Sequence, residues 1–254
     1  MDPESLLSGP ELSGQGCVVL LSGGLDSVTT LYYARSRGLR LHAISFDYGQ
    51  KHSIELKRAT NVAAQVGVED HSIIQLDTGV FQKSALTDRG IPVPEDQYSE
   101  QSNSENQGPD GALPKIPTQT IPITYVPGRN ILFLSYALSY CESRDLDHIF
   151  IGANAVDYSG YPDCRPEFIK AFQTMANLGT RSGQEGKGIR IQAPLIQLTK
   201  AQIITLGLKL GVDYSLTSSC YQPGSNGQPC GKCDSCIIRA RGFAAAGAVD
   251  PLTA

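Results

Sequence analysis

Short apolar runs alternate with amphipathic stretches along most of this chain. Cys17-Val18-Val19-Leu20-Leu21 is a continuous apolar run flanked by Gly residues, the pattern of a strand buried on both faces. From Asp26 or Ser27 to about Ser36, Val28, Leu31 and Tyr32 share one helical face, and Gly38 stops the helix. Leu41 to Phe46 reads as a second strand. Ser53 to Val66 reads as a second helix, with Ile54, Ala59, Val62 and Val66 inward, and His71 to Leu76 as a third strand. This βαβαβ alternation predicts a parallel sheet with right-handed crossovers.

The alternation then breaks. Residues 95–114 are rich in Ser, Asn, Gln, Gly and Pro and have almost no apolar side chains to bury. So long a polar stretch fits either a disordered insertion or a lid that orders on substrate. Beyond it the pattern resumes, with a helix over Ile131 to Cys141, a strand over His148 to Ile151 and a helix over Pro166 to Leu178. Ile191 to Leu195 fits a fifth strand or an extended segment. Thr199 is placed to cap a helix over Lys200 to Leu210, which Gly211 ends, and a short helix over Ile237 to Ala246 follows. The expected organisation is a mobile leader over residues 1–16, one α/β domain over 17–212 and a Cys-bearing region over 213–254.

Composition narrows the function. The chain has 254 residues, 41% hydrophobic, enough for a sizeable core. Its net charge of −4 provides no basic stripe for stable binding to nucleic acid. No segment is long and apolar enough to span a membrane, and the leader, with Asp2, Glu4 and Glu11, lacks the basic start and apolar run of a signal peptide. The expected compartment is the cytoplasm, where thiols stay reduced. A homodimer is expected from base rates alone.

Ser22-Gly23-Gly24-Leu25-Asp26-Ser27 lies between the first strand and the first helix. Its Gly residues let backbone N–H groups approach an anion, Ser22 and Ser27 add hydroxyls, and the helix behind offers unpaired N–H groups and the positive end of its dipole. Asp26 is negative and suits a place near magnesium or a part in shaping the loop. The stretch lacks the Lys-Ser or Lys-Thr ending of a Walker loop. It resembles the SGGxDS loop of the ATP pyrophosphatase superfamily, which includes asparagine synthetase, NAD synthetase and tRNA-thiolating enzymes. That resemblance implies an adenine nucleotide α-hydrolase-like, Rossmann-like α/β fold with helices on both faces of a parallel sheet. It also implies cleavage of ATP to AMP and pyrophosphate.

Four of the seven cysteines, Cys220, Cys230, Cys233 and Cys236, form a C-x9-C-x2-C-x2-C array. Four thiolates without an open position describe a structural zinc site; closely spaced Cys also hold iron–sulfur clusters. Other marked residues fall at predicted strand ends, where open α/β sheets bind ligands. Tyr48 and Gln50 follow strand two, and Asn154 follows strand four. Arg129 precedes a helix, as a phosphate or carboxylate clamp or as a surface cation. Asp163 and Arg165 fit a structural ion pair or the reading of a polar heterocycle. Lys200, a cation at a helix start, fits a phosphate contact or a solvated side chain. Cys164 reads as a buried, inert thiol, and His52 as a surface His.

Taken in order, SGGLDS, FDYGQ, VPGRN, GANAVDYSGYPDCRPEF, PLIQLTK and the Cys array run from Cys17 to Arg241. Together they resemble the 7-cyano-7-deazaguanine synthases of queuosine precursor biosynthesis. That resemblance implies a ligase that forms C–N bonds from 7-carboxy-7-deazaguanine, ammonia and ATP. The route would run through an acyl-adenylate and an amide, with magnesium on the phosphates and one structural zinc. Carried over by motif, the nucleotide segment is Leu21, Ser22, Gly23, Gly24, Leu25, Asp26, Ser27, Val28, Thr29, Thr30 and Leu31. The catalytic candidates are Ser22, Asp26, Ser27 and Lys200. The substrate candidates are Tyr48, Gln50, Arg129, Asn154, Asp163 and Arg165. Residues 1–16 and 95–114 lie outside the resemblance and leave room for a relative that modifies another acceptor by the same chemistry. A tRNA-thiolating enzyme would want a basic surface and a catalytic Cys near the loop. A non-catalytic nucleotide or zinc module would not need Ser22, Asp26 and Ser27 intact.

Overall fold

The computed structural model describes residues 6–9, 11–51, 54–95, 121–156 and 160–253. Five strands form one parallel sheet: β1 (Gly16–Leu20), β2 (Arg40–Asp47), β3 (Asp70–Gln75), β4 (His148–Phe150) and β5 (Arg190–Gln192). Their order is β3-β2-β1-β4-β5. The continuous apolar run makes β1 the central strand, paired with β2 through Cys17–Leu41 and with β4 through Cys17–His148. Every residue of β1 is buried.

The pleat divides β1 between two cores. Cys17, Val19 and Leu21 face helices α1 (Leu25–Ser36) and α2 (Ile54–Val66) through Leu31 and Val62. Val18 and Leu20 face α3 (Arg129–Ser143) and α4 (Pro166–Gly179) through Leu134 and Phe172. A short helix, α5 (Arg181–Gln184), precedes β5. Helices α6 (Lys200–Lys209) and α7 (Asp234–Ala245) complete the first core through Ile203 and Phe243. Each Leu or Phe buried this way contributes roughly 1.5–3 kcal/mol. Because the chain leaves β1 toward β2 and later returns on the other side as β4, a crevice opens beyond the C-terminal ends of β1 and β4.

Thr199 caps α6 as the sequence predicts, with Gln202 completing a capping box. The third predicted helix starts two residues early, at Arg129, because Gly128 adopts φ 64° and turns the chain into it. The described part of the leader is fastened down rather than loose. Leu6 and Leu12 pack on the first core, and Arg37 donates to the Leu7 carbonyl (3.2 Å) while its own carbonyl accepts from Leu12 N–H (2.9 Å). The polar stretch over 95–114 lies outside the described residues beyond Glu95.

Residues 213–254 share the main core instead of standing apart. Gly242 lets α7 approach α6 closely, since a Cβ there would lie 2.4 Å from Lys200 Cγ. Tyr214 OH pairs with Thr29 of α1 at 2.8 Å. Arg239 of α7 forms a bidentate pair with Asp250 (2.7 and 2.8 Å) and also donates to Thr217 Oγ1 (2.7 Å) and the Tyr214 carbonyl (3.1 Å). Both members of the pair are buried. Removing one partner strands the other charge away from water. Arg239→Ala is therefore expected to destabilise the fold by about 3–5 kcal/mol. Urea unfolding followed by circular dichroism measures this, and an unchanged midpoint would remove the buried hub from the account.

Candidate active site

The loop after β1 has the shape of the anion cradle expected from the sequence, with its walls in place. Gly24 occupies the N-cap of α1 and offers no side-chain cap of its own, and Leu25 N–H donates to Ser219 Oγ at 3.5 Å. Ser22 and Ser27 hydroxyls lie 3.0 Å apart, Ser27 Oγ accepts from Ser22 N–H (3.2 Å), and Ser22 Oγ accepts from Gly24 N–H (3.2 Å). These bonds hold both hydroxyls at the mouth of the dipole.

Three neighbouring backbones press on this loop. Gly23 has φ 82°, and a Cβ there would lie 2.4 Å from the Glu55 carbonyl at the start of α2. At Gly152, just past β4, a Cβ would lie 3.0 Å from Ser27 N. The segment before the Cys array closes the third side, with Ser218 N–H donating to the Gly23 carbonyl (3.0 Å).

Leu21, Ser22, Gly24, Leu25, Asp26 and Ser27 line a cavity of about 250 Å3. Val28, Thr29, Thr30 and Leu31, also read from the sequence as nucleotide-segment residues, point into the protein and are buried. Asp26 is not loose at the mouth. Lys200 Nζ binds both of its carboxylate oxygens, at 2.6 and 2.8 Å, with the Lys side chain 8% exposed. Lys200 is thus neither solvated nor placed by its helix alone; Asp26 balances its charge against the α6 dipole.

The other substrate candidates divide. Tyr48, Gln50, Arg129 and Asn154 line the same cavity. Arg129 Nη1 donates to Tyr48 OH (3.2 Å), and its guanidinium stands 5.8 Å from the Tyr48 ring centre. Gln50 clamps its own loop, accepting from Tyr48 N–H (2.9 Å) and donating to the Phe46 carbonyl (3.1 Å). Asn154 does the same for its loop by donating to the Leu198 carbonyl (2.7 Å) and accepting from Val156 N–H (2.9 Å). Asp163 and Arg165 are not among the residues lining the cavity. Asp163 is buried and accepts from Asn130 N–H (3.1 Å), which fixes the start of α3 and hence Arg129. Burial raises the Asp163 carboxyl against the pull of that hydrogen bond. Cys164 does border the cavity, as a buried thiol pushed by burial up to about 12 and so neutral at pH 7.

Aromatic rings make one wall. Phe46 and Phe133 stack at 4.0 Å and 3°, and Tyr48 meets Phe133 edge-on at 5.5 Å. Sequence reasoning passed over Phe133, Lys51, Glu55, Ser218, Tyr221 and Arg239, all of which line the cavity. Only the topology brings these separate segments to one edge. Glu55, in the first turn of a predicted helix near FDYGQ, was the one with a usable signal. Burial raises its carboxyl to about 7, with Arg129 opposing the shift.

The Sγ atoms of Cys220, Cys230, Cys233 and Cys236 all lie within 4.8 Å of one another. A tetrahedral zinc with Zn–S of about 2.3 Å needs sulfurs about 3.8 Å apart. Backbone N–H groups already point at the sulfurs. Cys230 N–H and Gln222 N–H donate to Cys220 (3.2 and 3.3 Å), and Lys232 N–H and Cys233 N–H to Cys230 (both 3.4 Å). Such donors stabilise thiolates, so the donor set fits a metal ion with four sulfur ligands. Among the described residues no helix is long and apolar enough to cross a membrane.

A parallel sheet whose switch point carries a Gly-Ser anion cradle, beside an aromatic and cationic wall, defines an α/β nucleotide-binding enzyme. The model of the family described as "Queuosine biosynthesis protein QueC" matches residues 16–247, and the chain belongs to that family. A protein named 7-cyano-7-deazaguanine synthase from Pseudomonas aeruginosa is 54% identical over 234 residues, covering 92% of this chain and 96% of the relative. Another of that name from Ectopseudomonas mendocina is 51% identical over 239 residues, covering 94% and 98%. Among solved structures, NMN synthetase from Francisella tularensis aligns at TM-score 0.49 and 17% identity over 98% of this chain and 87% of its own. That likeness is distant, and the fold stands on the observed strand order.

Gly152→Ala tests the close approach at the cradle. The added methyl pushes the Asp26–Ser27 backbone, so the KM for ATP is expected to rise about tenfold, a loss near 1.4 kcal/mol of binding. Steady-state kinetics with magnesium-ATP measures it, and an unchanged KM would show that the loop is not the phosphate site.

Proposed function

We propose that this chain converts 7-carboxy-7-deazaguanine and ammonia to 7-cyano-7-deazaguanine, with two ATP each cleaved to AMP and pyrophosphate. One observation carries the reading beyond family membership. A single cavity joins the Ser22–Ser27 cradle to a wall of Phe46, Tyr48 and Phe133 with Arg129 beside it. The aromatic wall suits a flat bicyclic heterocycle, and the guanidinium suits its carboxylate.

In this reading the loop N–H groups and the Ser22 and Ser27 hydroxyls hold the pyrophosphate end of ATP. Arg129 aims the substrate carboxylate at the α-phosphorus. The carboxylate oxygen attacks and pyrophosphate leaves, giving an acyl-adenylate whose AMP ammonia then displaces to form the amide. A second adenylation, on the amide oxygen, makes loss of AMP yield the nitrile. Lys200, released from Asp26 as phosphate enters, supplies positive charge where the leaving oxygens gather it. Asp26 would help to hold magnesium, which when bound would neutralise phosphate charge. The apolar wall limits the water that would hydrolyse the adenylate.

The Cys cluster is read as a structural zinc site, and the protein as a cytoplasmic homodimer acting on small molecules without a stable nucleic-acid partner. The sulfur-only donor set supports zinc. The net charge of −4 supports the absence of a nucleic-acid partner.

Incubation with magnesium-ATP, ammonium and 7-carboxy-7-deazaguanine is expected to give the nitrile by mass spectrometry together with AMP. Absence of both from folded, metal-replete protein would defeat the assignment. Cys233→Ser is expected to lose the stoichiometric zinc found by elemental analysis of the wild type and to melt well below it, because metal binding is folding free energy here. Equal metal content in the two proteins would exclude a four-sulfur site.

A further inference from the structure

Two carboxylates line the cavity among the described residues, Asp26 and Glu55. Asp26 is closed off by the two short contacts to Lys200. Glu55 makes no hydrogen bond or ion pair among the described residues, although it sits in the first turn of α2 with its backbone against Gly23 of the cradle. The reaction proposed above uses nitrogen that arrives in neutral water as ammonium, a cation that must lose a proton before it can attack. We propose that Glu55 is the carboxylate that binds this ammonium ion in the cavity and takes its proton. The inference rests on the synthase reading.

The step balances as follows. An N–H bond of ammonium breaks, the proton passes to a Glu55 oxygen, and the bonding pair stays on nitrogen as a lone pair. That pair forms the C–N bond at the acyl carbon, and the C–O bond to AMP breaks with its electrons on the phosphate oxygen. A second ammonium proton leaves with AMP, so amide, protonated AMP and protonated Glu55 are formed.

The other charged and titratable groups of the cavity favour this division of labour. The Arg129 charge opposes the rise in the Glu55 carboxyl, and Arg129 Nη1 donates to Tyr48 OH at 3.2 Å. Lys51 donates to the Ile91 carbonyl (2.7 Å). Arg239 is taken by Asp250, and Arg58, on the same helix as Glu55, by the Ser215 carbonyl (2.7 Å). Tyr161 donates to Thr124 Oγ1 (2.7 Å), Cys164 is a neutral thiol, and Cys220 belongs to the metal cluster. A carboxyl raised to about 7 by burial is ionised enough to attract the cation and basic enough to accept its proton.

The test compares wild type, Glu55→Gln and Glu55→Asp in two assays. One is carboxylate-dependent ATP–pyrophosphate exchange, which reads adenylation. The other is amide and nitrile formation at fixed ammonium across pH 6 to 9. Glu55→Gln is expected to lose about 100-fold more in product formation than in exchange at pH 7, the lower end of what a general base contributes. Wild-type product formation should rise through pH 7 and then level. The Glu55→Gln rate should keep climbing tenfold per pH unit, because solution ammonia replaces the missing base, and Glu55→Asp should restore part of the levelling. Equal loss in both assays, or a raised magnesium requirement in exchange, would make Glu55 part of the nucleotide site and overturn the proposal. An unchanged pH profile in Glu55→Gln would overturn it too. A wild type that exchanges but makes no product defeats the synthase reading itself, which separates that failure from a failure of Glu55.

Discussion

The structure depends on how closely three backbones approach the loop after β1. The start of α2 touches Gly23, the end of β4 touches Gly152, and residue 218 bonds to the Gly23 carbonyl. Side chains larger than hydrogen at Gly23 or Gly152 would occupy space already filled by main chain. The cradle is therefore held rigid by parts of the chain distant in sequence. Rigid placement is what would let backbone N–H groups act on a phosphate without first reorganising.

Two ion pairs hold half of the charged side chains that line the cavity. Asp26 holds Lys200, and Asp250 holds Arg239. Each pair keeps a buried ion from standing alone, and each also ties a late segment to an early one. Lys200 ties α6 to the loop after β1, and Arg239 ties α7 to Thr217 and the Tyr214 backbone. Glu55 is the cavity carboxylate left outside this pairing, and burial raises its carboxyl to about 7 against the pull of Arg129.

The Cys cluster belongs to the same scheme. It packs with Ala85 and Val93 from the segment after β3, and Glu95 bridges to Cys233 in antiparallel fashion. On its other side Cys220 and Tyr221 reach the cavity wall. A metal held there would fasten the segment that closes the third side of the loop after β1.

Sequence alone determined much of this. The apolar run at Cys17 to Leu21 requires a strand buried on both faces, and the Ser-Gly residues behind it mark the strand-to-helix turn that opens on the cavity, because each is local chemistry with a short span. Thiol spacing over Cys230 to Cys236 likewise specified a convergent cluster, and Thr199 specified a cap. Tertiary structure decided the rest. Asp163, read from the sequence as half of an ion pair or as a reader of substrate, is buried outside the cavity lining and fixes the start of α3, while Gln50 is bound to its own loop and Asn154 both to its own loop and to the Leu198 carbonyl. Glu55, Lys51, Phe133 and Tyr221 join the site only because the strand order brings their segments to one edge. Periodicity records which face of an element is buried, and it carries no information about which distant element lies against that face.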